Sequence, residues 1–174
     1  MDNSFLIYLE RLAMMAFFSG YPLVYALAHF VRGNKPAKNN FKQRLVSLLP
    51  YEYALVGSLY LGFQFKKLYP DYTIAHINQI VQEPFMAVWA ILSILFWIPF
   101  LAKKTMLSLI HSLFFFFFFA KDLYLQFAAS SPDKHMVSND MNVYTVSLLL
   151  NIAALFLIVF FSFLYNKYKK VSDL

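Results

Sequence analysis

The stretch His111–Phe127, "HSLFFFFFFAKDLYLQF", sets a run of six phenylalanines one alanine away from Lys121 and Asp122, and the chain then turns apolar again. Where the apolar helix stops decides how those two charges are read. A helix from Thr105 to Ala120 is about 24 Å long at ~1.5 Å per residue, short of a hydrocarbon core of ~30 Å, whereas one carried on to Ala128 reaches about 36 Å. Lys121 and Asp122 therefore fall inside a membrane span, roughly a third of the way in from one face. The phenylalanine run is most simply lipid-facing bulk with no role in a site.

Composition agrees with a membrane location. Of 174 residues, 60% are hydrophobic, 20% aromatic and only 14% charged, and the mean hydropathy of +0.56 lies well above that of soluble domains. The absence of cysteine excludes disulfides, a thiolate nucleophile, iron–sulfur clusters and Cys-ligated zinc. The opening "MDNSFLIYLERLAMM" carries Asp2 and Glu10 in place of the basic region of a signal peptide, so the first helix is expected to be retained.

Apolar segments long enough to cross a bilayer occur near 5–31, 45–65, 85–102, 105–128 and 142–165. The chain is thus expected to be an all-α polytopic membrane protein, one domain built as a bundle of five transmembrane helices. Its net charge of +6 sorts by loop. Arg32, Lys35, Lys38, Lys42 and Arg44 precede or open the second segment, Lys103 and Lys104 follow the third, and Lys167, Lys169 and Lys170 follow the fifth. Lys66, Lys67 and Lys134 stand on the other side. The basic side should be cytoplasmic, which puts the N-terminus outside and the C-terminus inside a cell membrane of bacterial inner-membrane type. A lipid bilayer is the expected partner, and nucleic acid is not.

The connections differ in character. "AKKT" (102–105) leaves room only for a tight hairpin, "DYTIAHINQIVQEP" (71–84) has Ile74, Ile77, Ile80 and Val81 at helical spacing for a short interfacial helix, and "ASSPDKHMVSND" (129–140) reads as a turn without chemistry. Ala54, Ser58 and Gly62 recur every four residues as a small-residue stripe, as do Ala16 and Gly20. Gly20 and Pro22 in "SGYPLVY" mark a kink. Trp89 and Trp97 suit the two membrane interfaces.

Ionisable side chains inside spans cost ~2.5–3.5 kcal/mol on insertion scales, so each needs a partner, water or an edge. Two groups stand at opposite depths. In the outer one, Glu10 and Arg11 on the first helix lie level with Lys121 and Asp122 on the fourth, which predicts Glu10–Lys121 and Arg11–Asp122 pairs, joined by Asn151 and Tyr144. Snorkelling of Lys121 and Arg11 is the alternative. The inner group is Glu52, His111 and, nearer the surface, His29. Glu52 facing His111 would be equipment for a proton or a ligand. Alternatively Pro50 begins the membrane helix, "FKQRLVSLL" (41–49) lies flat on the surface, and Glu52 merely favours a helix N-terminus.

Catalytic signatures are missing: no HxxxH or HExxH metal pattern, no nucleophile elbow and no Walker loop occurs, and His29 and His111 differ by about four residues in depth, a poor match for bis-histidine haem. No cofactor or metal is expected, and nothing argues for an enzyme. Two functions fit: a non-catalytic subunit or assembly partner of a larger membrane complex, or a small oligomeric transporter using Glu52 and His111. The first is favoured slightly, since no midplane helix break is paired by another.

Overall fold

The structure, a computed structural model, describes residues 3–33, 40–128 and 134–172, and among these it is helical with no strand. Four stretches are long and apolar enough to cross a membrane: Glu10–Arg32, Phe41–Leu68, Thr105–Ala128 and Val137–Lys169.

The first of them is two helices, α1 (Asn3–Phe18) and α2 (Tyr21–Arg32), broken at Ser19–Gly20 where the kink was expected. Pro22 has no N–H for Phe18, so the ladder fails there. The last helix of the chain, α8 (Lys134–Ser172), repairs the break: Ser147 Oγ accepts from the Gly20 N–H at 2.8 Å, and Asn151 Nδ2 donates to the Phe17 carbonyl at 2.8 Å. Glycine is required at this point, because a Cβ on Gly20 would sit 2.6 Å from the backbone nitrogen of Leu148.

Helix α3 (Asn40–Leu68) starts earlier than the apolar pattern predicts and runs through Pro50 without ending. Residues 41–49 therefore belong to the same helix as Glu52, and Glu52 is not in a first turn. The small-residue stripe on α3 is used within the chain. Ala54 is buried, Ser58 Oγ accepts from Trp97 Nε1 at 3.0 Å, and only Gly62 faces open space. Beside the stripe, the missing side chain of Gly57 makes room for Ser93.

After α3 comes the expected short helix, α4 (Ile74–Ile80), whose N-cap Thr73 accepts from the His76 N–H at 3.3 Å. The region expected as the third span is not one regular helix. It comprises α5 (Pro84–Leu92), a 3₁₀ turn over Ser93–Trp97 and α6 (Pro99–Ala102), interrupted where Pro99 removes another donor. Its start meets Glu10, and Thr105, just past its end, meets Tyr25 at 3.5 Å. Those two contacts are about 22 Å apart along the first span. Both tryptophan N–H groups bond within the chain: Trp97 Nε1 donates to Ser58 Oγ, and Trp89 Nε1 donates to the His111 carbonyl at 3.4 Å.

Helix α7 (Thr105–Ala128) continues unbroken through Lys121 and Asp122. Its phenylalanine run is not all lipid-facing. Helical spacing turns Phe115 and Phe119 inward, Phe115 against Phe18 at 4.7 Å between ring centroids and Phe119 against Tyr144 at 4.7 Å, while Phe117 is exposed. Helix α8 already includes Lys134–Asp140, so that part of the expected turn is helical; 129–133 lie outside the described residues.

Candidate functional site

Two polar sites are built into the bundle, and neither has the partners that depth-matching predicts. In the outer one, the Glu10–Lys121 pair does not form: Lys121 is exposed, and Glu10, only 4% exposed, turns to the start of α5. Its Oε2 accepts the backbone N–H groups of Gln82 at 2.8 Å and Glu83 at 3.0 Å. A helix N-terminus leaves such donors without internal acceptors, and a carboxylate also suits its positive dipole end.

Arg11 likewise passes over Asp122 as an ion-pair partner. It binds Glu83, with Nε and Nη2 both donating to one carboxylate oxygen. Asp122 shares a pocket of about 260 Å³ with Arg11, Tyr8 and Gln126. Asn151 and Tyr144 do not join this cluster, since Asn151 serves the kink and Tyr144 stacks on Phe119. A carboxylate that the reading of 129–140 as a turn missed, Asp140, is 1% exposed and accepts from Tyr8 Oη at 3.3 Å and Gln126 Nε2 at 2.7 Å. The apolar pattern begins its fifth segment only at 142, two residues past Asp140. Glu83, the acid before Pro84, was legible only as a loop residue.

The inner site has a different character. Glu52 on α3 is fully buried, and neither carboxylate oxygen has a hydrogen-bond partner. Around it the hydroxyl groups are paired with one another. Tyr21 Oη and Ser108 Oγ are 2.7 Å apart, and Tyr53 Oη and His111 Nδ1 are 2.7 Å apart. The Tyr21 and Tyr53 rings pack at 4.5 Å, and both lie within electrostatic reach of Glu52.

His111 is thus bonded to Tyr53 and not to Glu52 as expected. Its ring lies flat on the Trp89 indole, 4.7 Å away with a 5° tilt, and its Nε2 is buried without a partner. A tyrosine hydroxyl both donates and accepts, so the Tyr53–His111 bond is compatible with either imidazole tautomer. His29 stays apart from this group, stacked on Tyr25 at 4.4 Å, with its Nε2 also unpartnered.

Among the described residues no group of three or more His, Asp or Glu side chains stands ready for a metal ion. Comparison with known proteins returns nothing: no family model matches the chain, and no curated protein or solved structure does either. In this arrangement Glu52 on the one hand and the Tyr53–His111 pair on the other can each bind or release a proton, with no hydrogen bond linking the two. No nucleophile in it is paired with a general base and an oxyanion site.

Proposed function

We propose that the chain is a five-pass protein of a bacterial-type cell membrane, N-terminus outside and C-terminus inside, that handles protons at Glu52 as a small, oligomeric transporter. The observation that carries the reading is the fully buried Glu52 carboxyl with both oxygens unbonded. A polar group buried without hydrogen bonds costs ~1–3 kcal/mol, and an unpaired charge costs more, so packing alone would favour an apolar residue here. Intramembrane acids of this kind belong to transport and relay sites by default. The Tyr53–His111 pair supplies two more groups that can each give and take a proton, although no hydrogen bond joins it to Glu52.

The fifth crossing is supported by the α5–α6 region, since the residues flanking it, Glu83 and Thr105, meet Glu10 and Tyr25 at different levels of the first span. Orientation follows from the basic residues, ten on the side of Arg32, Lys103 and Lys167 against three on the other.

The assembly-partner reading keeps one favourable observation, the exposed aromatic side chains of α7 and α8, among them Phe117 and Tyr124 on α7 and Phe156 and Phe160 on α8. Of the small-residue stripe on α3, however, Ala54 is buried and Ser58 is taken by Trp97, which leaves Gly62 open. The deciding experiment is proton flux into liposomes containing the purified protein, followed with an entrapped pH-sensitive dye. Flux above empty liposomes, lost in Glu52→Gln, is the expected result. Equal flux in Glu52→Gln and the wild type overturns the proton reading, and co-purification of other chains with no flux favours the assembly partner.

A further inference from the structure

At the basic end of the bundle, two apolar grooves of about 310 Å³ each lie side by side. They share Phe41, Leu45, Phe156 and Val159, so these side chains form a ridge with one groove on either flank. One groove continues between α2 and α8 along Leu27. The other carries Arg44 on its wall, an isolated charge in an otherwise apolar lining.

Arg44 is held in place by α8. Its Nε donates to Ser162 Oγ at 3.1 Å and its Nη2 to the Ser162 carbonyl at 2.6 Å, which orients the guanidinium and leaves Nη1 without a hydrogen bond among the described residues. No acid neutralises it: the ion pair seen among the described residues is Arg11–Glu83, in the outer cluster. Arg32, which is exposed, and Lys42, which is half-buried, add positive charge at the same end of α2 and α3. Two adjoining apolar grooves with one fixed cation on the wall of one of them match a molecule with two hydrocarbon chains and one anionic group.

We infer that this face binds an anionic diacyl phospholipid, one acyl chain in each groove and the phosphate on Arg44. The free Nη1 of the oriented guanidinium can donate to a phosphate oxygen, and the grooves bury methylenes that would otherwise mix freely with bulk lipid. A lipid with zwitterionic headgroup fills the same channels but presents its phosphate beside a tethered cation, which weakens the contact with Arg44. The site is therefore selective for headgroup charge.

The test is titration of the detergent-purified chain with phosphatidylglycerol and, separately, phosphatidylcholine of the same chain length, read by native mass spectrometry. One phosphatidylglycerol per chain, bound at least about tenfold more tightly than phosphatidylcholine, is expected, with the preference lost in Arg44→Gln. Leu27→Trp, which fills one groove from an exposed position, is expected to weaken phosphatidylglycerol about tenfold with Arg44 intact, and it serves if Arg44→Gln does not fold. Equal binding of the two lipids overturns the proposal. So does unchanged binding in either folded variant, or competition by glycerol phosphate as effective as by the whole lipid.

Discussion

Glu10 and Glu52 are both glutamates on neighbouring helices and both almost fully buried, yet one is satisfied and the other is not. Glu10 reaches the N-terminus of α5, where backbone N–H groups are free to donate, and it accepts two of them. Glu52 sits in mid-helix against other helix walls, whose backbone groups are spent on their own ladders. The donors left there are side chains, and these are taken up in pairs, Tyr21 with Ser108 and Tyr53 with His111. A buried carboxyl at a helix end therefore stabilises the fold, while one facing helix flanks draws on stability that the rest of the bundle provides. That difference marks the inner site, not the outer one, as the place to look for activity.

The comparison breaks most readily at its outer member. Glu10→Ala removes two charge-assisted hydrogen bonds and leaves two donors buried at the start of α5, a loss of about 3 kcal/mol in unfolding free energy measured in micelles. A loss under about 1 kcal/mol would mean that the cap does not hold α5. Glu52→Leu should act in the opposite direction, raising stability by about 2 kcal/mol, because an apolar side chain replaces an unsatisfied polar one of similar size. Destabilisation by that change would reveal a partner for Glu52. Asn151→Leu comes next, costing about 1.5 kcal/mol by freeing the Phe17 carbonyl at the kink.

Those signs also explain which features the sequence announces. Buried charges, the kink at Gly20 and the continuation of α7 through Lys121 and Asp122 are all legible, because hydropathy, glycine, proline and span length each act locally. Partners are a different matter. Matching depth predicted Lys121 for Glu10, but the acceptor found backbone N–H groups, which have no letter of their own in a sequence. Asp140 lay in a stretch too polar to count as span, and only the 39-residue length of α8 brings it indoors. Ser147 and Asn151, four apart on that helix, were readable as one face but not as the repair of a break 127 residues away for the Ser147–Gly20 bond. The third span was read from apolar content, while Ser93 and Pro99 interrupt it through backbone geometry that content does not register.

The smallest expected effect sharpens the comparison furthest. Tyr53 and His111 share one hydrogen bond, so Tyr53→Phe and His111→Phe should each cost about 1 kcal/mol and the double variant little more than either, a coupling of about 1 kcal/mol. Phenylalanine at 111 retains a ring for Trp89 to stack on, which keeps the packing change small. Repeating the cycle with Glu52→Gln in the background asks whether the carboxyl belongs to the same network. The geometry gives Glu52 no bond to either residue, so the coupling should persist unchanged. If it collapses, Glu52 is held through Tyr53 and His111 after all, the inner glutamate is as well partnered as Glu10, and the physical contrast between the two sites disappears.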